Sequence, residues 1–184
     1  MSKGSADVPV SPLFLLYSRE ILAARQVLDL ACGRGRHSLA AAKGKAVVVG
    51  LDRNRTHLRY LYSKAKHQKM NSKLFLVCGD LEADSQHILL EQTWDVVLVF
   101  RYLHRPLCNW IEQALRPGGL LLYETFTKEQ VKFNTGPKNP DFLLEKGELP
   151  ELFSTLESEY FEETISYDRG QALASLAARR VCNN

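Results

Sequence analysis

Apolar positions along this 184-residue chain switch between two spacings at short intervals. Ser11-Pro12 predicts a helix start, because serine accepts from the first free amides and proline's fixed φ suits the first helical position. Leu13, Leu16, Tyr17, Ile21 and Ala24 then share one face. Residues 26–31 (QVLDLA) form a short, mostly apolar run, which predicts a buried strand. The good helix formers HSLAAAK follow and stop at Gly44, a natural C-cap. Residues 46–51 (AVVVGL) read as a second strand. Asn54 can cap a third helix with Leu58, Leu61, Tyr62 and Ala65 as its buried stripe. Residues 73–78 predict a third strand, and a short helix is expected around residues 87–91. WDVVLVF, residues 94–100, predicts a fourth strand. Leu107, Trp110, Ile111, Ala114 and Leu115 mark another helix, and Pro117-Gly118-Gly119 turns into a fifth strand, LLLYETF.

Strand and helix thus alternate five times. Strands that are apolar on both faces need cover on both faces, the mark of a parallel sheet between helix layers. Residues 127–144 break the pattern with Asn134, Gly136, Pro137, Asn139 and Pro140, and read as a long loop of the functional kind. The segment 127–148 is expected on the substrate side and to order when ligands bind. A helix is expected over 149–156. Residues 160–167 and 172–181 read as two strands joined by Asp168-Arg169-Gly170, a link short enough to force an antiparallel hairpin. The predicted fold is α/β: a doubly wound, seven-stranded, mostly parallel sheet with a terminal antiparallel hairpin, in one domain over 1–184 with an N-terminal helix within 1–25.

Composition adds exclusions. The chain is 45% hydrophobic and 24% charged with net charge +3. A chain this size buries roughly 70% of its unfolded surface, so no covalent staple is required. Cys32, Cys78, Cys108 and Cys182 have no metal-ligand spacing, and reduced thiols in a cytoplasmic setting are expected. MSKGSADVPVSP lacks a signal-peptide apolar core, and no apolar run approaches the ~20 residues that span a bilayer. Charge is uneven: residues 53–73 hold seven Lys/Arg and no acid, while residues 141–168 hold nine acids and one Lys. The basic stretch reads as a solvated helix face before it reads as an RNA surface, since no aromatic platform accompanies it.

Candidate chemistry lies in the turn VLDLACGRGRH. Gly33 and Gly35 let backbone approach a ligand. A dinucleotide fingerprint wants a third glycine where Ser38 stands. Asp29 before the turn would repel a pyrophosphate but suits a ligand carrying an ammonium group. Asp52 and Asp80 close the next two strands, so three acids stand at successive carboxyl ends, where ligands of open α/β sheets bind. Asp52 can accept both hydroxyls of a ribose, and Asp80 an exocyclic amine.

In this order, VLDLACGRG, the acid of VVVGLD, the Gly-Asp of VCGD, WDVVLVF and LRPGGLLLYETF resemble the motifs of class I S-adenosylmethionine-dependent methyltransferases, with a Rossmann-like methyltransferase fold. NPDFLLEKGELPELF more faintly resembles the tellurite-resistance-type branch. The resemblance covers residues 26–126. It implies S-adenosylmethionine as cofactor, with contacts from Asp29, Ala31, Cys32, Gly33 and Gly35 in the first turn. Asp52 and Arg53 after the second strand, Gly79, Asp80 and Leu81 after the third, and Phe100 at the end of the fourth complete the set. Ala31 departs from the family's usual glycine, and Cys32 reads as turn packing. An amino-directed Asn/Asp-Pro-Pro-aromatic motif is missing: Phe100-Arg101-Tyr102-Leu103-His104 stands there instead. Methyl transfer needs mainly alignment, so Arg101, Tyr102 and His104 are the candidate catalytic residues, with Glu124 and Phe126 nearby. His104 alternatively caps the helix starting near Arg105. Arg101 and Arg105 either favour an anionic substrate or pair with the acidic tail. The function expected is methyl transfer to a small anionic or soft acceptor. An RNA methyltransferase using residues 53–73 and an inactive cofactor-binding partner subunit stay open as alternatives. A nicotinamide enzyme is disfavoured by Asp29 and Ser38. No metal and no membrane association are expected.

Overall fold

The computed structural model describes residues 9–83 and 91–182. Its strands are β1 (Gln26–Leu30), β2 (Val47–Asp52), β3 (Leu74–Cys78), β4 (Trp94–Phe100), β5 (Leu115–Phe126), β6 (Glu157–Ser166) and β7 (Gln171–Arg179). They form one sheet in the order β3-β2-β1-β4-β5-β7-β6. The first five run parallel, and β7 lies antiparallel to both β5 and β6. The predicted architecture is the one observed. Helices α1 (Pro12–Leu16), α2 (Ser18–Ala23), α3 (Arg36–Ala41), α4 (Arg55–His67), α5 (Cys108–Ala114) and α6 (Glu148–Leu152) cover it.

Side chains alternate across a strand, so each apolar run feeds two cores. Leu28, Leu30, Val97, Val99, Leu121 and Tyr123 meet Ile111 and Phe153 on one face. Val27, Val48, Val96, Leu98, Leu120 and Leu122 meet Ile21, Leu39 and Leu61 on the other. β1 sits between β2 and β4, so the chain leaves it toward one side and later returns on the other. A crevice opens at the carboxyl end of such a switch point.

Several local expectations are corrected. The N-terminal helix is two short helices broken at Tyr17, and Leu16 is exposed. Tyr62 of the expected stripe is exposed too; Leu58, Leu61 and Ala65 form it. β5 starts at Leu115, because Trp94 already pairs with Leu115 before the register shifts around the Pro-Gly-Gly turn. The short helix expected from His87 lies outside the described residues.

The segment after β5 is the long loop expected, and it is fastened to its neighbours. Two 3-10 turns, Lys128–Lys132 and Pro140–Phe142, punctuate it. Thr127 bridges Leu144, and the Lys128 and Leu144 amides donate to the Leu144 and Phe126 carbonyls. Gln130 is fully buried, donating to the Thr135 and Gly170 carbonyls and accepting from the Ala172 amide. Arg105 grips Glu148 and donates to the Asp141 and Leu143 carbonyls. Among the described residues no helix is long and apolar enough to cross a membrane, and no cluster of metal-ligating side chains occurs.

Candidate functional site

The turn after β1 is built from left-handed backbone. Ala31, Gly33 and Gly35 have φ of 50°, 56° and 76°. At Gly35 an added Cβ would fall 2.2 Å from Leu61, so close packing of the turn on α4 excludes any side chain there. At Gly33 an added Cβ meets nothing within 4 Å, which leaves open space beside the backbone. The position resembling a family glycine, Ala31, carries a side chain on left-handed backbone, a conformation that costs roughly 1–2 kcal/mol without glycine.

A cavity of about 520 Å³ lies along this turn and the ends of the neighbouring strands. Ala31 and Gly33 line it from the first turn, Asp52, Arg53, Asn54 and His57 from the end of β2 and the start of α4. Gly79, Asp80, Leu81 and Glu82 follow β3; Arg101, Tyr102 and Leu103 follow β4. Thr125 and Phe126 close it from β5, with Pro137 and Phe142 from the fastened segment beyond. Most of the residues singled out in the sequence therefore share one cleft. His57, Glu82 and Thr125 carry no sequence signal for this lining, whereas Pro137 and Phe142 belong to the segment expected on the substrate side. Asn54 is the expected cap: its side chain accepts from the Thr56 and His57 amides.

Asp52 is buried at the floor of the cleft. One carboxylate oxygen accepts from the Gly33 amide and the other from the Asn54 amide, both at 2.7 Å. A carboxylate has about four acceptor positions, so two remain for ligand hydroxyls. Asp80 is exposed and accepts from the Glu82 amide at 3.0 Å. Arg53 lies within 4 Å of both Asp80 and Glu82.

Asp29 is placed elsewhere. It is buried, lines neither large cavity, and accepts a hydrogen bond from Ser38. Burial pushes its carboxyl up to about 7 against the opposing pull of Ser38. Its hydrogen bond with Ser38 ties β1 to α3. Cys32 and Gly35 face a second cavity, and burial holds the Cys32 thiol far above its ordinary range, in keeping with packing. Phe100 lines neither cavity and stacks on His37 with ring centres 3.7 Å apart. Burial lowers His37 to about 3, and its Nε2 accepts from the Ser11 amide.

The residues leaving β4 divide in the same way. Arg101 lines the cleft on left-handed backbone, φ 65°. Its Nη2 lies 3.3 Å from Glu124 Oε1 and donates to Gln171 at 3.2 Å, and its guanidinium sits 4.9 Å over the Phe126 ring. Its Nη1 is buried with no hydrogen-bond partner among the described residues, as is the Tyr102 hydroxyl. Burial, with Glu82 and Asp80, raises the Tyr102 phenol, so it stays protonated. His104 lies outside the cleft at the cap of the turn Arg105–Leu107, where its carbonyl accepts from Leu107. Arg105 pairs with Glu148 of the acidic tail, the second of its two expected roles.

The methyltransferase-domain family matches residues 27–119, half of the chain. The ubiquinone biosynthesis O-methyltransferase of Coxiella burnetii is 27% identical over 126 residues, 65% of this chain and 52% of that protein. The chain thus spans about half the length of the curated relatives it matches. Among solved structures, TehB from Haemophilus influenzae superposes with a TM-score of 0.74 at 18% identity, covering 97% of this chain and 64% of TehB. A SAM-dependent methyltransferase from Methanosarcina mazei gives 0.72 at 17% identity, covering 96% of this chain and all of the other. At such identities these two likenesses concern the fold.

Proposed function

Because the chain belongs to the methyltransferase-domain family, whose cofactor is S-adenosylmethionine, we propose that it transfers a methyl group from that cofactor to a small nucleophile, anionic or soft, admitted between Arg101 and Phe126. One observation carries this reading: a single cleft brings Asp52, Asp80, Arg101, Tyr102 and Phe126 together.

The residues fit the cofactor. Asp52 keeps free acceptor positions for two ribose hydroxyls, Asp80 and Leu81 line the same cleft and would flank an adenine, and Gly33 leaves room for a ligand against its Cα. S-adenosylmethionine supplies a methyl group on a positively charged sulfur. The chain's own part is alignment and exclusion of water, which together contribute much of the barrier lowering in such displacements. Arg101 and Phe126 form the wall on which an acceptor rests. Tyr102 offers an O–H donor without a competing partner among the described residues. Asp80, Glu82 and His57 group with Asp52 at the cofactor end, so a nucleophile that needs no proton removed, a thiolate or an oxyanion, suits the other end. His104 has no place in this arrangement. In this reading residues 1–184 act as one domain, with 127–148 as the acceptor-side wall.

The test is calorimetry with S-adenosylhomocysteine and with NAD, followed by an acceptor screen read by S-adenosylhomocysteine release. Thiols, selenite, tellurite, carboxylates and short RNAs make up the screen. Binding of S-adenosylhomocysteine alone, and turnover on a small acceptor that falls in Arg101→Ala, is the expected result. Dinucleotide binding without an S-adenosylhomocysteine signal overturns the reading, and turnover on structured RNA alone overturns the acceptor.

A further inference from the structure

A second cavity, about 550 Å³, adjoins the first and shares Gly33, Arg101 and Phe126 with it. The two differ sharply in charge. The first mixes Asp52, Asp80 and Glu82 with Arg53 and Arg101 in its wall. The second is lined by Arg34, Arg36, Lys43, Lys64 and Arg101, and no Asp or Glu lines it among the described residues. From this contrast we propose that the second cavity is the binding site for a multiply charged oxyanion group of the acceptor, phosphate or polycarboxylate, whose nucleophilic end reaches the shared wall at Arg101 and Phe126. That the anion belongs to a methyl acceptor rests on the methyltransferase reading; that the cavity binds an oxyanion does not.

Three features support it. Arg34 and Lys64 approach the same Tyr60 ring, at 5.2 and 5.4 Å from its centre. The ring gathers both cations at the edge of the cavity. Arg36 is half-buried and loses basicity by desolvation, which an incoming anion would reverse. Arg101 lines the wall that both cavities share. Guanidinium groups bind such oxyanions through paired N–H donors, which lysine alone cannot offer. The basic stretch in the sequence thereby has a concave partner. Lys64 of α4 faces cations from the first turn and α3, and a cavity of this volume admits a small molecule and not a duplex.

Pyrophosphate and citrate titrated into the protein, with and without saturating S-adenosylhomocysteine, test the site. The wild type should bind one or both, more weakly as salt rises. In Arg34→Ala/Lys64→Ala and in Lys43→Gln the affinity should fall, about tenfold for each charge-assisted hydrogen bond that the substitution removes. S-adenosylhomocysteine affinity and thermal midpoint should stay near wild type in Lys43→Gln, an exposed position. A preference for pyrophosphate identifies a phosphorylated acceptor, a preference for citrate a carboxylate. Absence of binding at millimolar anion, equal affinity in all variants, or displacement by S-adenosylhomocysteine overturns the proposal. So does an anion that binds only as part of an oligonucleotide. Should S-adenosylhomocysteine itself not bind, the methyltransferase reading fails while the anion titrations still decide this site.

Discussion

The carboxylate of Asp52 accepts the amide of Gly33 at 2.7 Å, joining the end of β2 to the turn after β1. One side chain therefore shapes the cofactor turn and also presents the acceptors of the cleft floor. Its removal acts on both.

Asp52→Ala should weaken S-adenosylhomocysteine binding by roughly 10–150-fold, from loss of bonds to a charged acceptor. It should also lower the thermal midpoint, because the Gly33 and Asn54 amides lose their partner. Asp52→Asn keeps one acceptor oxygen and should fall between. Calorimetry beside a thermal melt separates the two effects; unchanged affinity would place the ribose elsewhere.

Gly33→Ala and Gly35→Ala should fail differently. The first adds a methyl into open space beside the cleft and should fold, with stability down by about 1–2 kcal/mol for left-handed backbone, and lose cofactor affinity. The second drives a methyl into Leu61 and should lose stability further, by ~1–3 kcal/mol of overpacking. Equal stabilities would show that the turn yields freely.

Ala31→Gly should stabilise the protein by up to about 1.5 kcal/mol. It removes the left-handed strain of ~1–2 kcal/mol and adds unfolded-state entropy of ~0.4–1 kcal/mol. Denaturant unfolding measures the difference.

Asp29→Asn should raise stability increasingly as pH climbs from about 4 to about 7. The folded carboxyl titrates near 7 against an ordinary value of 3.8, so over that window the unfolded chain sheds a proton that the folded one keeps. The resulting cost to folding is complete above pH 7, with an upper limit of ~4 kcal/mol. Arg36 and Asp52 act on the same carboxyl in opposite senses. Urea midpoints of both proteins at pH 4, 5.5 and 7.5 read the effect; a pH-independent difference would show a normal Asp29.

Limited proteolysis should find residues 127–148 protected before any ligand is added, because Gln130 and Arg105 fasten that segment at both ends. Arg105→Ala frees the Leu143 and Asp141 carbonyls and the Glu148 carboxylate, and should speed cleavage without ligand. Rapid cleavage of the wild type that stops on ligand binding would restore an ordering lid.

Much of this was legible along the chain. Strand identity follows from contiguous apolar runs such as WDVVLVF, because a strand covered on both faces has no polar side to show. Asn54 and Ser11 announce caps because capping is local: Ser11 accepts from Leu13 two residues on. The acids Asp52 and Asp80 could be placed at the cleft because strand order in a parallel α/β sheet puts every carboxyl end on one edge.

Which way a side chain turns at that edge is settled by packing, and there the one-dimensional pattern is silent. Asp29, one residue short of the end of β1 and level with Gly50, accepts from Ser38 and is sunk, whereas Asp52 at the end of β2 is held in the cleft by the amides of Gly33 and Asn54. Arg105 meets Glu148 across 43 residues and Arg101 meets Gln171 across 70. The cationic cavity draws on the first turn, α3, α4 and β7 at once. Sequence determined the elements, their order and the edge that carries the chemistry, because those depend on neighbours in the chain. Tertiary structure alone decided which charges are spent on holding the fold and which stand open to a ligand, because partners so distant in the chain meet only when the sheet closes.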